Sequence, residues 1–160
     1  MERLYLTPGE MIAAYSAAGR GKLNRPTASL LLLGILAGAI IAVAGAATNT
    51  AAYGIVDTWT LRTVCALLFP FGLGLVVVTG SELFTGNCML PITLLDGSGT
   101  VGQLLRNWAL SYLGNILGAG LVAALCVFCG QLDYSAGALA VYPIRVGAAK
   151  CAMSFGNAFG

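Results

Sequence analysis

The sequence predicts an all-α polytopic membrane protein, and three observations point there. The chain is 58% hydrophobic and only 9% charged, with a mean hydropathy of +0.87, far outside the range of soluble globular domains. Its apolar runs are long, continuous and rich in Leu, Ile, Val, Ala and Gly, whereas an outer-membrane barrel would show short alternating segments. One run is interrupted by Gly80-Ser81-Glu82-Leu83-Phe84-Thr85-Gly86-Asn87. Hydrocarbon offers these polar groups no partners, so protein or a water-filled cavity must surround them. A break of this kind marks a permeation or binding site.

Residues 1–26 form a cytoplasmic N-terminal arm carrying a short amphipathic helix from about 7 to 19. Thr7 is a suitable N-cap, Pro8 fits the first helical position and Glu10 completes a capping box. Met11, Ile12 and Tyr15 give it one apolar face, which can lie in the membrane interface or dock on other helices. Arg20, Lys22 and Arg25 just before the first span hold the N-terminus in the cytoplasm by the positive-inside rule. The first apolar run begins near Ala28. It is too long for a signal peptide and has no cleavage pattern, so it stays as an anchor.

Residues 27–130 read as a three-helix transmembrane repeat. Span one covers about 29–47, with Gly34, Gly38, Ala42 and Ala46 at four-residue spacing, a pattern that lets another backbone approach closely. An external loop is expected over 48–60. Span two covers about 61–79, weakened by Pro70, Gly72 and Gly74 before the break at 80–87. Residues 88–95 are too few to cross and suggest a half-helix. Span three covers about 104–130 and carries Arg106, Asn107, Asn115 and the Gly114/Gly118 pair. An external loop over 131–142 then leads to the start of a fourth transmembrane helix, introduced by Pro143, with Lys150 in its first turns. That helix stops at Gly160, too short to cross, so the chain reads as truncated in its fourth helix.

The net charge is +2 with scattered basic residues, which shows no nucleic-acid footprint. Cys126 and Cys129 form the only C-x-x-C pair among five cysteines. Redox or metal chemistry and plain apolar packing both fit them, but no His or polar shell accompanies them, which favours packing. No metal site and no cofactor is expected.

At the break, a helix that stops and restarts leaves the first amides of the second half unpaired, a setting that favours small anions. Thr85 supplies a hydroxyl, Gly80 and Gly86 allow unusual backbone angles, and Asn87 ties loop carbonyls and amides together. Phe84 belongs to the same loop. Glu82 would repel an anion and is expected to be paired or to cap loop amides. Leu73 can form an apolar constriction or serve as a core leucine. Lys150 can concentrate anions at an external mouth or snorkel as an interfacial lysine. A re-entrant loop that only packs helices is the competing reading of the whole constellation.

These residues resemble the formate/nitrite transporter family, whose members include hydrosulfide channels. The resemblance rests on the 80–87 motif, Leu36-Ala37-Gly38, Arg106-Asn107-Trp108, Tyr112-Leu113-Gly114-Asn115 and Ala149-Lys150. It implies an aquaporin-like inverted-repeat bundle with a broken second helix, assembled as a homopentamer in the bacterial inner membrane. It further implies small monovalent anions as substrate, formate, nitrite or hydrosulfide. Leu73 matches the family's constriction, Thr85 its broken-helix threonine and Lys150 its fourth-helix lysine. The family's central histidine and second constriction phenylalanine belong to a fifth helix, so the lack of His reads as truncation. The leading expectation is a channel-like transporter, not an enzyme; a neutral-solute pore and a non-conducting fragment are the alternatives.

Overall fold

The computed structural model describes residues 5–159. The first four residues of the expected arm, and Gly160, lie outside the described residues. Helix α1 (Pro8–Leu23) carries the capping box read from the sequence: the Thr7 amide donates to the Glu10 carboxylate at 2.7 Å and the Glu10 amide donates to the Thr7 hydroxyl. It runs four residues past the expected end. The reason is docking: Ser16, Gly19 and Leu23 are buried, and a Cβ on Gly19 would meet the Thr93 side chain at 2.7 Å. The arm therefore packs on the protein, the second of the two readings offered for it.

Helices α2 (Thr27–Ala52), α3 (Thr58–Thr79) and α6 (Val101–Phe128) are long and apolar enough to cross a membrane, since a crossing needs roughly 20 residues. The chain is a polytopic helical membrane protein. The expected loop over 48–60 shrinks to residues 53–57, because α2 continues to Ala52 and the Asp57 carboxylate caps α3 by accepting from the Thr60 amide at 2.7 Å.

Helix α2 stands between α3 and α6. Its contact with α6 is made backbone to backbone. A Cβ on Gly34 would lie 3.3 Å from the Gly114 Cα, and one on Gly118 would lie 2.8 Å from the Ala39 nitrogen. Two small-x-x-x-small stripes thus face each other, the close approach that membrane helices use where the hydrophobic effect offers little drive. Gly72 plays the same part for α3, where a Cβ would sit 2.6 Å from the Ala44 methyl.

The chain restarts inside the break as α4 (Phe84–Asn87), and the half-helix expected over 88–95 is regular only at α5 (Ile92–Leu95), because Pro91 lacks the amide that would continue the ladder and the Met89 and Leu90 amides bond only three residues back. Leu90 packs with Leu23 and Leu104, flanked by Leu94 and Trp108, into a small core beneath α1.

Beyond α6, the expected loop over 131–142 holds a single 3-10 turn (Gln131–Asp133) and the first residues of α7 (Ala138–Cys151). Pro143 does not introduce this helix but lies inside it. Gly137, with a φ of 81°, and the buried Leu139 set its start instead. Lys150 consequently falls in the last turn, not the first. A short helix α8 (Phe155–Phe159) follows.

The close approach of α2 and α6 has a direct test. Gly118→Ala should lower stability by about 1–3 kcal/mol through overpacking, while Gly120→Ala, whose Cβ meets nothing within 4 Å, should be neutral or stabilising. Thermal unfolding in detergent, read by tryptophan fluorescence, separates them; equal midpoints would contradict the packing.

Candidate functional site

The break begins as a helix ending and is locked by backbone geometry. Gly80 adopts a φ of 64°, the left-handed conformation in which glycine pays no Cβ penalty. The Ser81 amide reaches the Val76 carbonyl at 3.1 Å and the Gly80 amide the Val77 carbonyl at 3.2 Å. This paired closure stops α3 and turns the chain across α2, where the Glu82 amide donates to the Leu33 carbonyl at 3.2 Å. Of the two glycines expected to supply unusual angles, Gly80 does so. Gly86 does not: it is helical, with open space where a Cβ would stand.

Glu82 is fully buried. Lys22 donates to its Oε2 at 2.9 Å, the Asn87 amide donates to the same oxygen at 2.9 Å, and the Arg25 Nε stands 3.5 Å from Oε1. The last contact is electrostatic only, since Oε1 accepts no hydrogen bond. Pairing is what charge in a low-dielectric site requires, and it follows the expectation for this residue.

Asn87 is also fully buried but ties side chains rather than loop backbone. It donates to Asn107 at 2.9 Å and accepts from Lys22 at 3.0 Å. Its own carbonyl accepts from the Trp108 indole at 2.9 Å. Phe84 packs edge-on against Tyr112 and Trp108, with ring centroids 5.2 and 6.4 Å away. Its amide donates to the Asn115 side chain at 2.8 Å, so the first amide of the restarted helix is taken, contrary to the expectation that it stays unpaired. The amides of Thr85 and Gly86 have no partner among the described residues.

Thr85 is exposed, and its hydroxyl makes no hydrogen bond among the described residues. Leu73 lies on α3, 52% exposed and off the face that buries Gly72 and Val76. It is therefore not a core leucine of this chain. Lys150 is exposed and makes no ion pair among the described residues. The first half of α7 lines a cavity of about 400 Å³ with Ala42, Ala46 and Thr50 of α2, whereas the break bonds α2 at Leu33. The loop residues are thus brought together, while no contact ties Leu73 or Lys150 to them. Cys126 and Cys129 remain free thiols.

Lys22, Arg25, Asn107 and Asn115 belong to this site. Lys22 and Arg25 read as interfacial charges in the sequence, and their partner lies far away along the chain. The one available signal was Glu82, a membrane carboxylate that had to be paired.

Helix α1 closes the far side of the break. The Tyr15 hydroxyl donates to the Gly86 carbonyl at 3.1 Å. Burial, and secondarily the Glu82 charge, raise its pKa above the usual 10.0, so it stays a donor through the neutral range. Ser16 donates to Asp96 across the same interface. That bond, with further ones from Ser98, holds the Asp96 carboxyl below its usual 3.8.

A helix break at the end of an apolar span, pinned by side chains from α1 and α6 and leaving one hydroxyl uncovered, suits a membrane transport protein. Residues 9–160 match the formate/nitrite transporter family. The chain belongs to that family, which is one of transporters and not of enzymes. It is 38% identical over 146 residues to a probable formate transporter of Methanothermobacter thermautotrophicus, covering 86% of this chain and 53% of that protein. It is 37% identical over 130 residues to the formate channel FocA of Haemophilus influenzae, covering 79% and 45%. With the Bacillus subtilis transporter YrhG it shares 35% identity over 155 residues, covering 94% and 57%. The chain spans about half the length of these relatives.

The lowered Asp96 pKa has a definite sign. Its stabilisation is complete above the usual 3.8 and is lost as pH falls through the depressed native value. The thermal midpoint should therefore fall between about pH 5 and pH 2 more steeply in the parent than in Ser16→Ala; parallel profiles would show that this bond does not anchor α1.

Proposed function

We infer that the protein is a channel-like transporter for small monovalent weak-acid anions. Family membership supports the class, and two relatives carry formate in their names. The observation that carries the reading is a segregation of chemistry at the break. The loop's carboxylate and amide, Glu82 and Asn87, are fully buried and paired with Lys22 and with each other. Thr85 alone of the loop's polar side chains is exposed.

In this reading the Thr85 hydroxyl donates to the passing anion. Leu73, twelve residues earlier, is an apolar constriction that strips water, and Lys150 concentrates anions at the outer mouth. The dry section is crossed in or near the protonated form, since moving a bare charge through low dielectric costs many kcal/mol. In this reading the N-terminus lies in the cytoplasm and the membrane is a bacterial inner membrane, an orientation that the cluster of Arg20, Lys22 and Arg25 supports by the positive-inside rule. The working unit is a homopentamer of protomers built from two inverted repeats, of which 27–130 is one. Formate is the first substrate of choice, with nitrite and hydrosulfide the alternatives.

The test is flux of formate, nitrite and hydrosulfide into proteoliposomes, for this 160-residue chain and for a version completed with a second repeat. Flux of at least one anion in the completed version, increased several-fold by Leu73→Ala, is the expected result. No flux of any of the three, with the protein folded and inserted, would overturn the reading.

A further inference from the structure

One side chain holds the break without belonging to it. Asn115 lies on α6, and its Oδ1 accepts from the Phe84 amide at 2.8 Å. Its Nδ2 donates to the Glu82 carbonyl at 2.9 Å and to the Gly34 carbonyl at 2.8 Å. Both ends of the amide are used, and reversing it would set donor against donor and acceptor against acceptors, so its orientation is determined. Its backbone is equally constrained: a Cβ on Gly38 would lie 2.7 Å from the Asn115 Cα. Asn115 is thus wedged against α2 by its main chain while its side chain ties α2 to both sides of Leu83.

Thr85 follows directly, and among the described residues its hydroxyl and amide have no hydrogen bond to fix it. Its place is set by what its neighbours bond to. The Gly86 carbonyl accepts from the Tyr15 hydroxyl and the Asn87 carbonyl from the Trp108 indole, beside local bonds from the Met89 and Leu90 amides. Among the described residues, Asn115 is the side chain that bonds both the break before Thr85 and the backbone of α2.

We propose that Asn115 is a positioning residue of the anion path, holding backbone 82–84 so that the Thr85 hydroxyl is presented to the anion. The proposal rests on the reading of Thr85 as path-lining. Asn115 itself touches no substrate. It acts by fixing geometry, and small misplacements of a site group reduce function by large factors.

The test uses Thr85→Cys in a chain whose native cysteines are replaced by Ala, completed with a second repeat and reconstituted in liposomes. The readouts are the rate of modification by 2-sulfonatoethyl methanethiosulfonate and its slowing by formate. In the parent, formate should protect the thiol. Asn115→Ala, which loses all three bonds, should change the rate about tenfold and abolish protection. Asn115→Asp keeps the acceptor but donates only when protonated, and then through one bond in place of two, so it should behave like Asn115→Ala at about pH 8 and move part of the way back to the parent at about pH 5.5. Rates are compared with the parent at each pH, so thiol ionisation cancels. A merely structural asparagine would not produce that reversal with the uncharged 2-hydroxyethyl reagent run in parallel, which a new carboxylate does not repel.

If the parent is protected and both variants behave like it, the positioning role is overturned and the path reading stands. If formate does not protect the parent, the path reading falls and the proposal with it. If neither variant can be recovered as monodisperse protein, Asn115 is structural and the proposal is overturned.

Discussion

A fully buried carboxylate in the middle of a membrane protein dictates much of this structure. Glu82 has no access to solvent, and an uncompensated charge there would destabilise the fold by several kcal/mol. The compensation arrives from the arm: Lys22 at the end of α1 and Arg25 in the link to α2. Helix α1 must therefore dock, which is why it extends to Leu23 and buries Ser16 and Gly19. Asn87 and Asn107 extend the same network from α4 and α6, and the Lys22 carbonyl accepts from Asn107. One charge thus recruits four elements around the break.

The second constraint is distance. Asn115 reaches the Gly34 and Glu82 carbonyls together only because α2 and α6 approach backbone to backbone at Gly34, Gly38, Gly114 and Gly118. Larger residues at these positions would separate the helices by more than a short amide can bridge. Small residues here serve the site as well as the packing. With Glu82 and Asn87 turned inward by this framework, the uncovered side of the loop is left to Thr85.

Much of this was legible in the sequence because the signals are local. The Thr7 capping box, the three apolar spans and the interruption at 80–87 each depend on residues a few positions apart. Pairing of Glu82 was also deducible, since an unpaired membrane carboxylate is untenable. Its partner was not: Lys22 lies sixty residues away, and its basic side chain serves a positive-inside reading equally well. The half-helix expected at 88–95 forms only in its second part because Pro91 and three-residue hydrogen bonds divide the segment, and α7 begins early because Gly137 and Leu139 outweigh Pro143. Gly86 misled for a simpler reason: glycine permits a left-handed angle without requiring one. Leu73 and Lys150 touch none of the loop residues, so their place in the path rests on the resemblance.

The Lys22–Glu82 pair holds the break, and a double-mutant cycle measures its strength. Lys22→Met, Glu82→Gln and the double variant would be unfolded thermally in the same detergent. Because Lys22 is 30% exposed and Arg25 remains nearby, the expected coupling is about 2 kcal/mol, below that of a wholly buried pair. The double variant should then be more stable than either single loss implies. Additive effects, with coupling indistinguishable from zero, would mean that the break is held by its amide bonds alone and that the arm docks for another reason.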